Sequence, residues 1–150
     1  MDRPLVTISD WRALLAGLGV GADQSAAARG TDLLDRYGRE DRRYHSLGHL
    51  TAVLTVVDEL AELADKPDLV RLAAWFHDAI HQPDGPGGDE ERSADLARTE
   101  LAALGLDEEA VAEVARLVLL TTTHDSGPDD RNGAVLCDAD LWILGSSEET

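Results

Sequence analysis

Residues 69–81 read LVRLAAWFHDAIH, from Leu69 to His81. Apolar side chains cover nearly every side of the helix this run predicts: Leu69, Val70, Leu72, Ala73, Trp75, Phe76, Ala79 and Ile80. A helix without a polar face belongs in the middle of a bundle, so the chain is expected to be all-α with this segment at its centre. His77 and Asp78 then fall where unpaired polar groups are costly. They need partners, and a metal ion is one candidate. His77 and His81 are expected on one helical face, one turn apart, whereas Asp78 falls about 100° round from His77 on an ideal helix. Further partners must come from other helices.

Composition bounds what such a site can do. A length of 150 residues predicts one domain over 1–150. With 13 basic against 30 acidic residues the formal charge is -17, which argues against a broad nucleic-acid or anionic-membrane surface. The same charge repels anionic substrates at long range, so a phosphate-handling site must create its own positive potential, as metal ions would. A single cysteine, Cys137, excludes an internal disulfide. The opening MDRPLVTISDWR lacks the apolar core of a signal, which makes the cytoplasm the expected compartment. No window approaches a transmembrane span.

Upstream, Ser9 is the expected N-cap of a short helix with Trp11, Leu14, Leu15 and Leu18 at helical spacing. Asp23 is expected to cap a second helix through about Gly38, with Ala26, Ala27, Leu33, Leu34 and Tyr37 inward and Gly30 weakening its continuity. In RRYHSLGHL, Arg42 to Leu50, Ser46 is the expected N-cap of a third helix. His49 then falls in its first turn, on the inward line of Val53, Val56 and Leu60. Lys66-Pro67 starts the central helix.

Downstream, the run QPDGPGGD, Gln82 to Asp89, cannot continue a helix and reads equally as a mouth beside the histidines or an idle surface loop. A helix from Asp89 to Leu104 should bury Leu96 and Leu101, and Asp107 should cap another that turns Val111, Val114, Ala115, Val118 and Leu119 inward. His124 opens a second polar loop. A final helix carries Val135, Leu136, Leu141, Ile143 and Leu144, with Gly145 as its expected stop. Asp138 and Asp140 are roughly 200° apart on that helix, so only one can point inward.

The inward polar groups are therefore His49, His77, Asp78 and one of Asp138 or Asp140. Two imidazoles and two carboxylates suit Mn, Fe, Co, Ni or Zn rather than calcium. On residue types alone, buried histidines bonded to aspartates would be the leading reading.

The order His49, His77-Asp78, Asp140 resembles the HD superfamily of metal-dependent phosphohydrolases, whose signature is a histidine, a histidine-aspartate pair and a distant aspartate. YHSLGHL, AAWFHDAIH, DEERSADLA and DADLWILG look like the small bacterial "predicted metal-dependent HD phosphohydrolase" proteins, over Tyr44 to Gly145. The resemblance implies an HD-type helical bundle with a metal site between its central helices. It also implies that His49, His77, Asp78 and Asp140 are the ligands of a divalent transition metal, Asp140 being chosen because the family places its ligand directly before the leucine, here Leu141.

More is implied residue by residue. His45 resembles the proton-donating histidine of cyclic-nucleotide phosphodiesterases, with Ser46 in place of their asparagine. His81 and His124 occupy positions where relatives bind a second metal, Mg among the candidates, or a metal-bound water; their bland reading is as solvent-facing histidines. Glu90 and Glu91 could orient His45 or simply favour a helix N-terminus. Arg42 and Arg43 are candidate phosphate contacts because guanidinium matches phosphate bidentately. The implied reaction is metal-assisted hydrolysis of a small phosphate ester or nucleotide, with water activated by the ion and His45 as general acid.

Two other classes stay open: an HD-fold di-iron oxygenase, for which five histidines suffice, and a non-catalytic helical interaction domain stapled by metal. Relatives continue past the last motif with further helices whereas this chain ends at Thr150, so the expectation is a domain lacking those helices. Substrate identity and pairing of subunits through outer helices, as a homodimer, are left open.

Overall fold

A computed structural model describes residues 5–21, 24–37, 47–80 and 87–148. Its helices are α1 (Ile8–Gly17), α2 (Gln24–Tyr37), α3 (Leu47–Leu60), α4 (Pro67–His77), α5 (Asp89–Ala103), α6 (Glu108–Leu120) and α7 (Arg131–Glu148), with one turn of 3-10 helix at Ala61–Leu63 after α3. No strand occurs among the described residues. None of these helices is long and apolar enough to cross a membrane.

The central position follows from the all-round apolar sequence of α4. It packs against α1, α3, α5, α6 and α7, and Leu69, Val70, Leu72, Ala73, Ala74, Trp75, Phe76 and His77 are all buried. Each fully buried leucine or phenylalanine contributes about 1.5–3 kcal/mol, so this segment alone supplies much of the core. Lys66 is its N-cap and Pro67 its first residue, where the missing N–H and preset φ cost nothing.

The far end of α4 departs from expectation. The helix stops at His77, with Asp78 as its C-cap, instead of running on towards His81; the expected pairing of the two histidines involves His81, which lies outside the described residues. Side chains from two other helices take over the backbone groups. The Asp78 N–H donates to the Tyr37 hydroxyl at 3.1 Å, and that hydroxyl donates to the Trp75 carbonyl at 2.9 Å. The Ile80 N–H donates to Ser93 Oγ on α5 at 3.0 Å, and the Ala79 N–H closes a tighter turn onto the Phe76 carbonyl at 3.0 Å. Helix ends need such partners, and here tertiary packing supplies them earlier than the glycine- and proline-rich run would.

Two other helix ends differ from the expected positions. Thr7 caps α1 in place of Ser9, because the Asp10 carboxylate reaches back to accept the Thr7 N–H at 2.8 Å. Gly145 does not stop α7, which continues to Glu148; an internal glycine costs about 1 kcal/mol, which a helix can absorb. Asp107 does cap α6, accepting the Ala110 N–H at 2.8 Å. Asp23 and Ser46, expected as caps of α2 and α3, lie outside the described residues.

Helices α1 and α2 are fastened to α4 through aromatic rings. Trp11 meets Trp75 edge-on at 5.1 Å between centroids and Phe76 at 6.2 Å, while its indole N–H donates to the Ala26 carbonyl at 2.9 Å. Gly30 leaves α2 unbroken and makes room for this indole: a Cβ there would fall 2.3 Å from Trp11 Cδ1. At the other end of the bundle Arg116 binds both Glu113 and Asp130. Asp130 accepts the Gly133 N–H at 2.9 Å at the start of α7, and Asn132 joins the Lys66 N–H to Glu113. The first turns of α4 and α7 are thereby held together.

Replacing an ordinary helical glycine with alanine stabilises by about 1 kcal/mol. Gly30→Ala should do the reverse, lowering stability by about 1–3 kcal/mol through overpacking against Trp11, read as a lower denaturation midpoint with unchanged m. A stabilised variant would show that the indole can move aside.

Candidate metal centre

Four side chains from three helices meet where α3, α4 and α7 converge. His49 lies in the first turn of α3, whose direction is set by Thr51: its hydroxyl donates to the Leu47 carbonyl at 2.8 Å and accepts the Val6 N–H at 3.0 Å. His77 ends α4, Asp78 is its C-cap, and Asp140 projects from α7. His49 is 6% exposed, His77 2% and Asp140 4%. Asp138 is exposed, so of the two late aspartates Asp140 is the one that faces the bundle.

The polar atoms of these side chains point at one another. His77 Nε2 lies 3.1 Å from Asp78 Oδ2 and 3.4 Å from Asp140 Oδ1. His49 Nε2 lies 3.5 Å from Asp78 Oδ2 and 3.4 Å from Asp140 Oδ1. The two imidazole centroids are 5.8 Å apart. His49, His77 and Asp78 each offer a ligand atom, all within 4.8 Å of one another, a group that could hold a metal ion. Asp78 gets there because α4 stops: on a continuing helix it would face about 100° away.

The tautomer of His77 is fixed by its backbone partner. Its Nδ1 lies 2.6 Å from the Ala74 carbonyl, which can only accept, so Nδ1 carries the hydrogen. In the neutral ring Nε2 is then a lone pair. It receives no hydrogen bond among the described residues, yet it faces two carboxylate oxygens. Lone pair against carboxylate is repulsive unless a proton or a metal cation lies between them. Backbone fixation of the distal nitrogen is also how ligating histidines are commonly oriented.

The electrostatics agree. Burial works to lower the pKa of His77, but the adjacent carboxylates of Asp78 and Asp140 outweigh it and hold the imidazole well above its ordinary value. Burial works to raise Asp140, but the facing imidazoles of His49 and His77, together with His124, hold it far below the usual carboxylate range. The centre is a buried electronegative cup. Cys137, one turn before Asp140, is pushed up to about 11 by burial and then by Asp140, Asp130 and Asp138, which keeps it an inert thiol near neutral pH.

Of the other residues singled out in the sequence, His124 reaches the cluster: its Nε2 lies 2.6 Å from Asp140 Oδ2. Glu90 and Glu91 occupy the first turn of α5, half-buried and exposed respectively. Neither makes a hydrogen bond or ion pair to the four residues among the described ones. His45, His81, Arg42 and Arg43 lie outside the described residues. Sequence reasoning missed the positioning roles of Tyr37 and Ser93, since a hydroxyl in an apolar stripe carries no periodic signal beyond burial.

The sign of the pH dependence follows for protein freed of metal by a chelator. A raised His77 stabilises the fold fully below its unfolded value near 6.5 and loses that contribution as pH rises through the folded value. A depressed Asp140 stabilises above 3.8 and loses that contribution only as pH falls through its folded value. Metal-free protein should therefore lose Tm as pH is raised from about 6.5, and His77→Gln should flatten that slope. An unchanged slope in the variant would show that His77 is not the group responsible.

The HD domain family matches the chain over residues 44–141, from just before α3 to one residue past Asp140. No curated protein and no solved structure matches the chain. The matched segment contains His49, His77, Asp78 and Asp140 in one stretch, and the chain accordingly belongs to the HD domain family, typically one of metal-dependent hydrolases.

Proposed function

We propose that this protein is a metal-dependent phosphohydrolase acting on a small phosphate ester or nucleotide, with a divalent transition-metal ion (Mn, Fe, Co, Ni or Zn) held by His49, His77, Asp78 and Asp140. The observation that carries this reading is the His77 ring, whose Nδ1 is tied to the Ala74 carbonyl at 2.6 Å while Nε2 faces two carboxylates with no hydrogen-bond donor. Two imidazoles with two aspartates balance a dication and suit these metals. When bound, such an ion lowers the pKa of water from about 15.7 to about 7 and offsets charge on a phosphoryl group.

The chain's own groups do the rest. Asp78 and Asp140 hold the charge, and the Ala74 and Tyr37 contacts keep His77 and Asp78 in place before any ligand arrives. His45, which precedes α3 by two residues in the sequence, is proposed as the acid that gives a proton to the departing oxygen. Glu90 and Glu91 are proposed to orient it from the first turn of α5, which the Ser93–Ile80 bonds bring to the end of α4. Arg42 and Arg43 are proposed phosphate contacts. His81 and His124 are the residues available to a second ion, Mg included, or its water.

Metal content of the purified protein should be roughly one or two transition-metal ions per chain for a site of this donor set, lost in His77→Ala together with hydrolysis of p-nitrophenyl phosphate or nucleotides. Turnover should persist without oxygen. His45→Ala should lower kcat by about 10²–10⁴-fold with metal content and Tm unchanged. A wild type that takes up none of the five metals overturns the proposal, and an unchanged kcat in His45→Ala removes the acid role.

A further inference from the structure

The loop joining α6 to α7 places His124 in an unusual backbone conformation. Its φ is +56°, in the left-handed region that few residues other than glycine adopt, although histidine is among those enriched there. The conformation is held by the His124 N–H donating to the Leu120 carbonyl at 2.8 Å. It turns the ring back towards α7, where Nε2 meets Asp140 Oδ2 at 2.6 Å.

The two oxygens of Asp140 therefore have separate partners. Oδ1 faces Nε2 of both His49 and His77 at 3.4 Å; Oδ2 is taken by His124. An ionised carboxylate only accepts hydrogen bonds, so Nε2 of His124 carries the hydrogen and offers no lone pair to an ion. We infer that His124 is a positioning residue: it anchors Oδ2 of Asp140 so that the carboxylate presents Oδ1 alone to the metal. The inference rests on the metal-site reading above and assigns His124 a role other than ligand of a second ion. Partners of this kind fix the orientation of ligating groups, and their loss typically weakens metal binding about 10–100-fold.

Two substitutions separate this role from the alternatives. The side-chain amide of glutamine reaches about as far as imidazole Nε2 and can donate to Oδ2; that of asparagine reaches only to the position of Nδ1. Asparagine, however, accepts a positive φ more readily than glutamine. Affinity for Mn, Co or Zn is measured by chelator competition at fixed pH on wild type, His124→Gln and His124→Asn, with circular dichroism melts alongside. Metal affinity should fall about 10–100-fold in His124→Asn and recover largely in His124→Gln, with the number of ions per chain unchanged in both. Tm should be no lower in the asparagine variant than in the glutamine variant.

Loss of one ion of two in both variants would make His124 a ligand and overturn the inference. Affinity in His124→Asn equal to wild type, or better than in His124→Gln, would reduce the residue to a backbone role. These outcomes leave the metal site standing. A wild type that binds no ion fails the metal-site reading itself and the inference with it.

Discussion

Buried negative charge is the constraint on which the rest of this structure depends. Asp140 is almost wholly enclosed and Asp78 half so, and a carboxylate taken out of water persists only when paired and hydrogen-bonded. The partners are two imidazoles whose neutral forms supply no charge. The cluster is therefore completed by a cation, either a proton on the ring of His77 or a metal shared by the four residues. The apolar wall of α4 sharpens the demand by excluding water, and the same wall strengthens whatever electrostatic interaction is made inside it.

Meeting that constraint requires α4 to end at a defined residue. Adjacent positions on a helix diverge, so a histidine and an aspartate next to each other in sequence converge only if the second leaves the helix. Tyr37 brings this about by bridging the Trp75 carbonyl and the Asp78 N–H, and Ser93 holds Ile80 just beyond. Tyr37 belongs to α2, which lies outside the segment shared with the HD family. With Trp11 of α1 packed on Trp75 and Phe76, the two N-terminal helices are part of the scaffold that shapes the centre.

Much of this was legible in the sequence, for local reasons. Apolar all-round composition identified α4 as central, Lys66-Pro67 marked its start, and Asp107 was recognisable as a cap because capping acts over three residues. His49 could be placed inward from its line with Val53. What was not legible depended on groups distant in sequence. The end of α4 depends on Tyr37, 41 residues before Asp78, and on Ser93. Gly30 reads as a weak point until Trp11 is seen against it. Asp138 and Asp140 differ by which face of α7 packs on the bundle, which residue types leave undecided; the fold buries Asp140 and exposes Asp138. Gly145 reads as a stop, yet α7 continues through it.

The charge of the whole chain bears on the same centre. Most described arginines are engaged locally: Arg71 with Asp58 and Asp68, Arg116 with Glu113 and Asp130, Arg29 with Glu100, Arg92 with Asp89. Exposed pairs of this sort add little stability, but they leave their guanidinium groups poorly placed to attract an anion. With a formal charge of -17, the molecule repels phosphorylated compounds over distances up to the Debye length, about 8 Å at physiological salt. For the phosphorylated substrate proposed above, a favourable potential would have to arise at short range and inside the fold. The His77–Asp78–Asp140–His49 cup can produce it only by holding a cation, so the acidity of the surface and the composition of the core lead to the same requirement.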